Sequence, residues 1–165
     1  MEIHTKRLLL QKYNASDFEA FCDIVCNDEV MLNISGKGNT RKVAKEKFDW
    51  VLKTNQENQY YGLYKVILLE TNKVIGFAKI TPFEEDCSEI GYALLPPFWR
   101  KGFTTEMIKK LTDHCIEYLS DKKIMAIVNI ENVASLKALE KCNYTIYEEA
   151  EFKGASCYLL EFKIT

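Results

Sequence analysis

The chain has 165 residues and a mass of 19.2 kDa, which suits one domain and hardly leaves room for two. Its hydrophobic share of 47% and charged share of 28% are ordinary for a globular protein, and 7 Gly with 3 Pro exclude a collagen-like, linker-rich or low-complexity chain. Twenty-two basic against 24 acidic residues leave a net charge of −2 and a pI near 5.8, which argues against bulk nucleic-acid binding.

In chain order, Arg7 to Lys12 reads as a first strand. Asn14 to Asp17 give polar start signals for a helix whose Phe18, Phe21, Cys22 and Val25 share one face. Ser35 to Asn39 is a loop, and Thr40 caps a second helix carrying Ala44, Phe48, Val51 and Leu52 inward. Tyr60 to Leu69 and Lys73 to Thr81 form a hairpin around a short turn at 70–72. Cys87 to Leu95 is a strand stopped by Pro96 and Pro97, because proline cannot continue a central ladder. A long helix follows from about Thr104 to Leu119, with Ile108, Leu111, Cys115 and Leu119 on one stripe. Lys123 to Ile130 is a buried strand, Ser135 to Lys141 a short helix, and Thr145 to Glu149 and Ser156 to Ile164 are the last strands. The expected class is α/β (α+β): one domain over residues 1–165, with a single mixed, mostly antiparallel twisted sheet of about six to seven strands and about four helices on its faces.

The six cysteines, Cys22, Cys26, Cys87, Cys115, Cys142 and Cys157, contain no C-x-x-C pair, and only His4 and His114 could join them. Reduced, buried thiols and no metal are expected. His114 reads as a solvated or capping histidine in mid-helix. No apolar run approaches the roughly 18 residues of a membrane span, and the opening Met-Glu-Ile-His shows no apolar leader. A cytoplasmic protein without membrane contact is expected, as monomer or homodimer.

The stretch Glu89 to Glu106 (EIGYALLPPFWRKGFTTE) is the richest in chemistry. Arg100, Lys101, Gly102, Phe103 and Thr104 fall at a helix start, where unpaired N–H groups and the positive dipole end suit a phosphate. Gly102 permits a close backbone approach or a positive φ. Thr104 and Thr105 offer hydroxyls or a cap. An ordinary turn with two solvated cations is the plain alternative, and neither a P-loop nor a G-x-G-x-x-G string is present.

This segment resembles the acetyl-CoA motif of the GNAT superfamily of N-acetyltransferases, [RQ]-x-x-G-x-[GA], and most of all the ribosomal-protein N-terminal acetyltransferase (RimJ/RimL-like) branch. The resemblance rests on Thr5-Lys6-Arg7-Leu8-Leu9-Leu10, on Glu89 to Tyr92, and on Pro96 or Pro97 with Trp99, Lys101, Gly102, Phe103, Thr105 and Glu106. Asn132, Ser135, Leu139, Glu140 and Lys141 match the last motif. Four places depart from the pattern: Trp99 replaces Arg or Gln, Thr104 the second small residue, Asn143-Tyr144 the frequent Gly-Phe after the last helix, and Leu139 the tyrosine that many members use as an acid.

The resemblance implies acetyl transfer from acetyl-CoA to a primary amine, either a protein N-terminus or a small molecule. Glu89 is then the base, unless it is an exposed strand carboxylate, and Gly91 and Ala93 leave a low wall beside it. Ser135 protonates the departing thiolate or caps its helix, and Asn132 bonds the pantetheine arm or caps in its turn. Leu94 and Leu95 pair with pantetheine as a missing strand would, while Arg100 to Thr105 take the pyrophosphate. Trp50, Tyr60, Tyr61 and Tyr64 are candidates for the acceptor pocket, with residues 16 to 56 as one wall. The competing reading is a non-catalytic acyl-CoA-binding or sensory module of the same fold.

Overall fold

Every residue of the strand Gly62–Leu68 is buried, so both of its faces must be covered. Tyr64, Val66 and Leu68 point into one core and Leu63 into another, the alternation that a pleated strand imposes. The computed structural model describes residues 2–164. Its strands are β1 (Glu2–His4), β2 (Leu8–Lys12), β3 (Gly62–Leu68), β4 (Lys73–Glu84), β5 (Cys87–Leu94), β6 (Lys123–Asn129), β7 (Thr145–Phe152) and β8 (Ala155–Lys163). The helices are α1 (Phe18–Val25), α2 (Asp28–Ser35), α3 (Arg41–Glu57), α4 (Phe103–Tyr118) and α5 (Val133–Glu140). All the strands join one sheet, ordered β1-β2-β3-β4-β5-β6-β8-β7. Only β5 and β6 run parallel; the other neighbours are antiparallel, so the expected mixed, mostly antiparallel class is the one observed.

One face packs Leu10, Val66, Ile80 and Ile90 against Met107, Ile108 and Leu111 of α4 and Leu139 of α5. The other packs Tyr13, Leu63 and Ala93 against Phe21 and Ile24 of α1, Met31 of α2, and Phe48 and Val51 of α3. Ala44, Phe48 and Val51 recur at the helical period, and Thr40 Oγ1 caps α3 by accepting from Val43 N at 3.3 Å.

Two elements lie beyond the sequence reading. β1 is only three residues long and too short to show a period, yet it pairs with β2 through Glu2–His4. α2 has an Asn27 cap accepting from Val30 N at 3.0 Å, acidic Asp28 and Glu29 in its first turn, and Gly36 at φ 83° to end it. Those signals stand in the sequence, but Leu32 and Ile34 are exposed and break the apolar stripe. His114 also differs from expectation: it is 3% exposed, packed on α4 against the rings of Tyr60 and Tyr118 rather than solvated. It follows Met107 and Leu111 at the helical period, on the buried stripe. All six cysteines are free thiols, and no helix of the described residues is long and apolar enough to cross a membrane.

Lys65 points from β3 into the core beneath α1. There its Nζ meets both carboxylate oxygens of Asp17 at 2.7 and 2.9 Å, with the two side chains only 9% and 13% exposed. A buried charge is tolerated because it is paired, and removing one partner strands the other. Asp17→Ala is therefore expected to destabilise the fold by about 3 kcal/mol, while Asp17→Ala/Lys65→Met recovers most of the loss; urea unfolding of both variants measures the difference.

Candidate functional site

β5 and β6 pair at only three positions, Cys87–Lys123, Ser88–Ile124 and Glu89–Met125. Beyond them β5 stays on β4 as far as Leu94, and β6 stays on β8 as far as Asn129. The sheet therefore opens into a slot whose walls are two strand edges, an arrangement able to accept an extended chain. At the end of β5, Leu95 N donates to Ile75 O at 2.8 Å and Leu95 O accepts from Phe98 N at 3.0 Å, so both its backbone groups are used within the protein. Alternation turns Leu94 N–H toward the slot. Leu94 O accepts from the Trp99 indole N–H at 2.6 Å, so the residue that breaks the family pattern at position 99 pins the strand end.

After the 3-10 turn Pro96–Phe98 the chain reverses through Arg100 at φ 60° and Gly102 at φ 80° into α4. No side chain caps α4, so the N–H groups of Phe103, Thr104 and Thr105 are free to receive an anion. A clamp from the connection between β1 and β2 fixes this turn. Arg7 Nη1 donates to Lys101 O at 2.9 Å, and its guanidinium lies 4.3 Å over the Phe103 ring. Glu106, in the first turn of α4, accepts from Arg7 Nε at 2.7 Å, Arg7 N at 2.8 Å and Thr5 Oγ1 at 2.5 Å. Burial pushes the Glu106 carboxyl up, but the hydrogen bonds from Thr5 and Arg7 and the guanidinium charge outweigh it, leaving the group below its ordinary range.

On the α1–α3 side of the slot lies a cavity of about 370 Å³. Glu89 sits in its wall, half-buried, with Oε1 2.7 Å from Lys79 Nζ. Glu89 is thus one member of an ion pair and not an isolated strand carboxylate. The low wall expected at Gly91 is filled by the Lys79 side chain, since a Cβ at Gly91 would come 2.5 Å from Lys79 Cε. Ala93 is buried in the core and does not line the cavity. Leu32, Phe77 and Phe152 give apolar walls and Asn33 and Asn129 polar ones, with the end of α2 and Gly36 on one side and the hairpin turn at 152–155 on another.

On the opposite face Ser135 Oγ lies 2.7 Å from Tyr92 Oη. Asn132 Oδ1 accepts from Ser135 N at 3.2 Å and caps α5. Leu139 is fully buried in the core. The aromatic candidates are elsewhere: Tyr64 is buried and bonds Tyr60 O, Tyr60 stacks on Tyr118, Tyr61 reaches Ser88, and Trp50 lies exposed on α3; none lines the cavity. Lys79 and Tyr92 escape the sequence reading, because their partners are set by strand register and by the β6–α5 return.

Known proteins share this fold and place the chain in a family. A model of the acetyltransferase (GNAT) domain family matches residues 7–145. The uncharacterized N-acetyltransferase p20 of Bacillus licheniformis is 29% identical over 146 residues, covering 86% of this chain and 81% of that protein. A GNAT-family acetyltransferase from Bacillus anthracis superposes with a TM-score of 0.83 at 20% identity, covering 99% of this chain and 98% of its own. RimL, a ribosomal L7/L12 alpha-N-protein acetyltransferase solved in complex with coenzyme A, gives 0.84 at 16% identity with 99% and 98% coverage. At such identities the two structures show likeness of fold.

The clamp has a pH signature. Because the folded Glu106 carboxyl ionises below its ordinary value of 4.5, its stabilisation is complete above that pH and is lost as pH falls through the folded value. The Tm of the protein should exceed that of Glu106→Gln at pH 7, and the gap should narrow steadily below about pH 4.5; thermal melts of both across pH 3 to 7 measure it.

Proposed function

Because the chain belongs to the GNAT acetyltransferase family and is an acetyl-CoA-dependent enzyme, we propose that it acetylates a primary amine, the N-terminal amine of a protein, entering through the cavity beside Glu89. The observation that carries this reading is the parting of β5 from β6, with a carboxylate on one face of the slot and a serine hydroxyl on the other. The motifs shared with the ribosomal-protein branch, Thr5 to Leu10 and Glu89 to Tyr92, favour a protein N-terminus over a small amine. A cavity of about 370 Å³ with both apolar and amide walls suits the first residues of a peptide.

In this reading the pantetheine arm adds along the free edge of β5 at Leu94, and its pyrophosphate meets Gly102, Phe103, Thr104 and Thr105 with Arg100 and Lys101 beside it. Leu95 and Asn132 support the site from behind, since their polar groups are engaged internally. Glu89 takes a proton from the acceptor ammonium, directly or through water. Lys79 Nζ lies 2.7 Å from Oε1, and an ionised carboxylate has lone pairs to spare for a second donor. The amine nitrogen then bonds to the thioester carbon, the carbon–sulfur bond breaks, and the electron pair leaves with sulfur. A second proton from nitrogen ends on sulfur by way of Ser135, so amide and free thiol form with one proton released. Leu139 offers no hydroxyl, and in this reading Ser135 is the donor on this side.

Two outcomes test the reading. Glu89→Gln should lower turnover by about 10²-fold without changing coenzyme A affinity, followed by thiol release with a panel of N-terminal peptides, amino acids and polyamines. Peptides should be the acetylated class; turnover of polyamines alone would displace the protein acceptor. At Gly102 an added Cβ meets only Arg7 Nη2, at 3.4 Å, so the obstacle is the backbone at φ 80°. Gly102→Ala should cost roughly 1–2 kcal/mol of stability and weaken coenzyme A about tenfold, equivalent to about 1.4 kcal/mol, as read by calorimetry.

A further inference from the structure

Tyr92 follows Gly91 on β5 and turns to the face opposite Glu89, where its ring packs against the core shared by α4 and α5. Its hydroxyl has one polar partner among the described residues, Ser135 Oγ at 2.7 Å. We propose that Tyr92 is a positioning residue for acetyl transfer: its phenol donates to Ser135 Oγ and thereby leaves the serine proton free for the departing sulfur. The inference rests on the assignment of Ser135 made above.

The direction of that hydrogen bond follows from counting protons. Each hydroxyl has one proton to give and lone pairs to receive. Were Ser135 the donor, its proton would point at the phenol and away from the slot, and the part-buried tyrosine proton would have no acceptor among the described residues. Leaving a donor unmade there is the costlier arrangement. Burial also pushes the phenol far above its ordinary range, with the Ser135 hydrogen bond opposing only part of that shift, so Tyr92 has its proton at every working pH. Ser135 is fixed from its backbone side as well, because Asn132 holds its N–H. What is left to the serine is a single free O–H, at the mouth of the slot.

During transfer the carbon–nitrogen bond forms, the carbon–sulfur bond breaks with its pair on sulfur, and Ser135 passes its proton to sulfur. The proton shed by the acceptor nitrogen restores the serine, and Tyr92 keeps its own proton throughout. The phenol thus stabilises the serine oxygen while its proton is in transit, an interaction stronger in the transition state than before it.

The experiment is a double-mutant cycle on the full chain, reading kcat, the KM for acetyl-CoA, and thermal melts for Tyr92→Phe, Ser135→Ala and the pair. Phenylalanine keeps the ring and removes one oxygen, so the fold is retained and the melt reports any loss. Tyr92→Phe should lower kcat about tenfold with KM unchanged, and should lower it no further once Ser135 is alanine. A shift in Tm with kcat intact would make the contact merely structural and overturn the inference. So would an equal fall in kcat in both backgrounds, which would place Tyr92 on a route independent of the serine. If Ser135→Ala itself leaves kcat unchanged, the assignment of Ser135 falls and this inference falls with it. If Ser135→Ala is slow and Tyr92→Phe is not, only the inference falls.

Discussion

Everything at the site depends on the sheet failing to close between β5 and β6. Three parallel pairs tie the two halves together, and then each strand keeps its other neighbour while the gap widens. Backbone groups along an open edge are costly unless something pairs with them, so the fold itself creates a demand for an extended ligand. The two cores make the opening affordable: one lies under α4 and α5, the other under α1, α2 and α3, so neither half of the sheet relies on the missing ladder for burial. The same gap lets Tyr92 on β5 reach across to a helix that follows β6.

Stiffness at the mouth of the slot comes from one carboxylate. Glu106 gathers Thr5 Oγ1, the backbone N–H of Arg7 and its side chain, and Arg7 then holds the carbonyl of Lys101. A turn with Arg100 and Gly102 at positive φ is unfavourable unless its surroundings impose it. Here the connection between the first two paired strands of the sheet imposes it from nearly a hundred residues away in sequence. The turn is consequently formed before any anion arrives, and ordering it does not subtract from binding.

How far the sequence could be read differs from element to element. Pro96 and Pro97 mark the end of β5, and Ile108, Leu111 and Cys115 mark the buried stripe of α4, because both signals are local. α2 is obscured by its divided packing: Val30 and Met31 reach the core while Leu32 and Asn33 line the cavity, so no regular apolar stripe runs along it. The position of Glu89 is legible on its strand, but its partner is not. Lys79 becomes its neighbour only through the β4–β5 register, in which Lys79 stands opposite Gly91 and Thr81 opposite Glu89. The tyrosines at 60, 61 and 64 have the composition of a pocket, yet period and turn geometry send them to the far face and to the core. Ser135 and Tyr92 are separated by 43 residues, a distance over which spacing arguments have no reach.

The passage of Lys79 over Gly91 has a consequence for how an acceptor finds the enzyme. With the lysine lying where a side chain at 91 would be, Glu89 meets the solvent as half of a neutral pair and not as a bare anion. In the proposed reading, a charged amine approaching from a distance therefore feels little pull from that pair, Lys153 on the rim offers none, and the overall charge of −2 adds little more. Encounter in that reading owes more to shape and diffusion than to long-range steering, and attraction begins within a few ångströms, where the carboxylate's remaining lone pairs can accept from the ammonium.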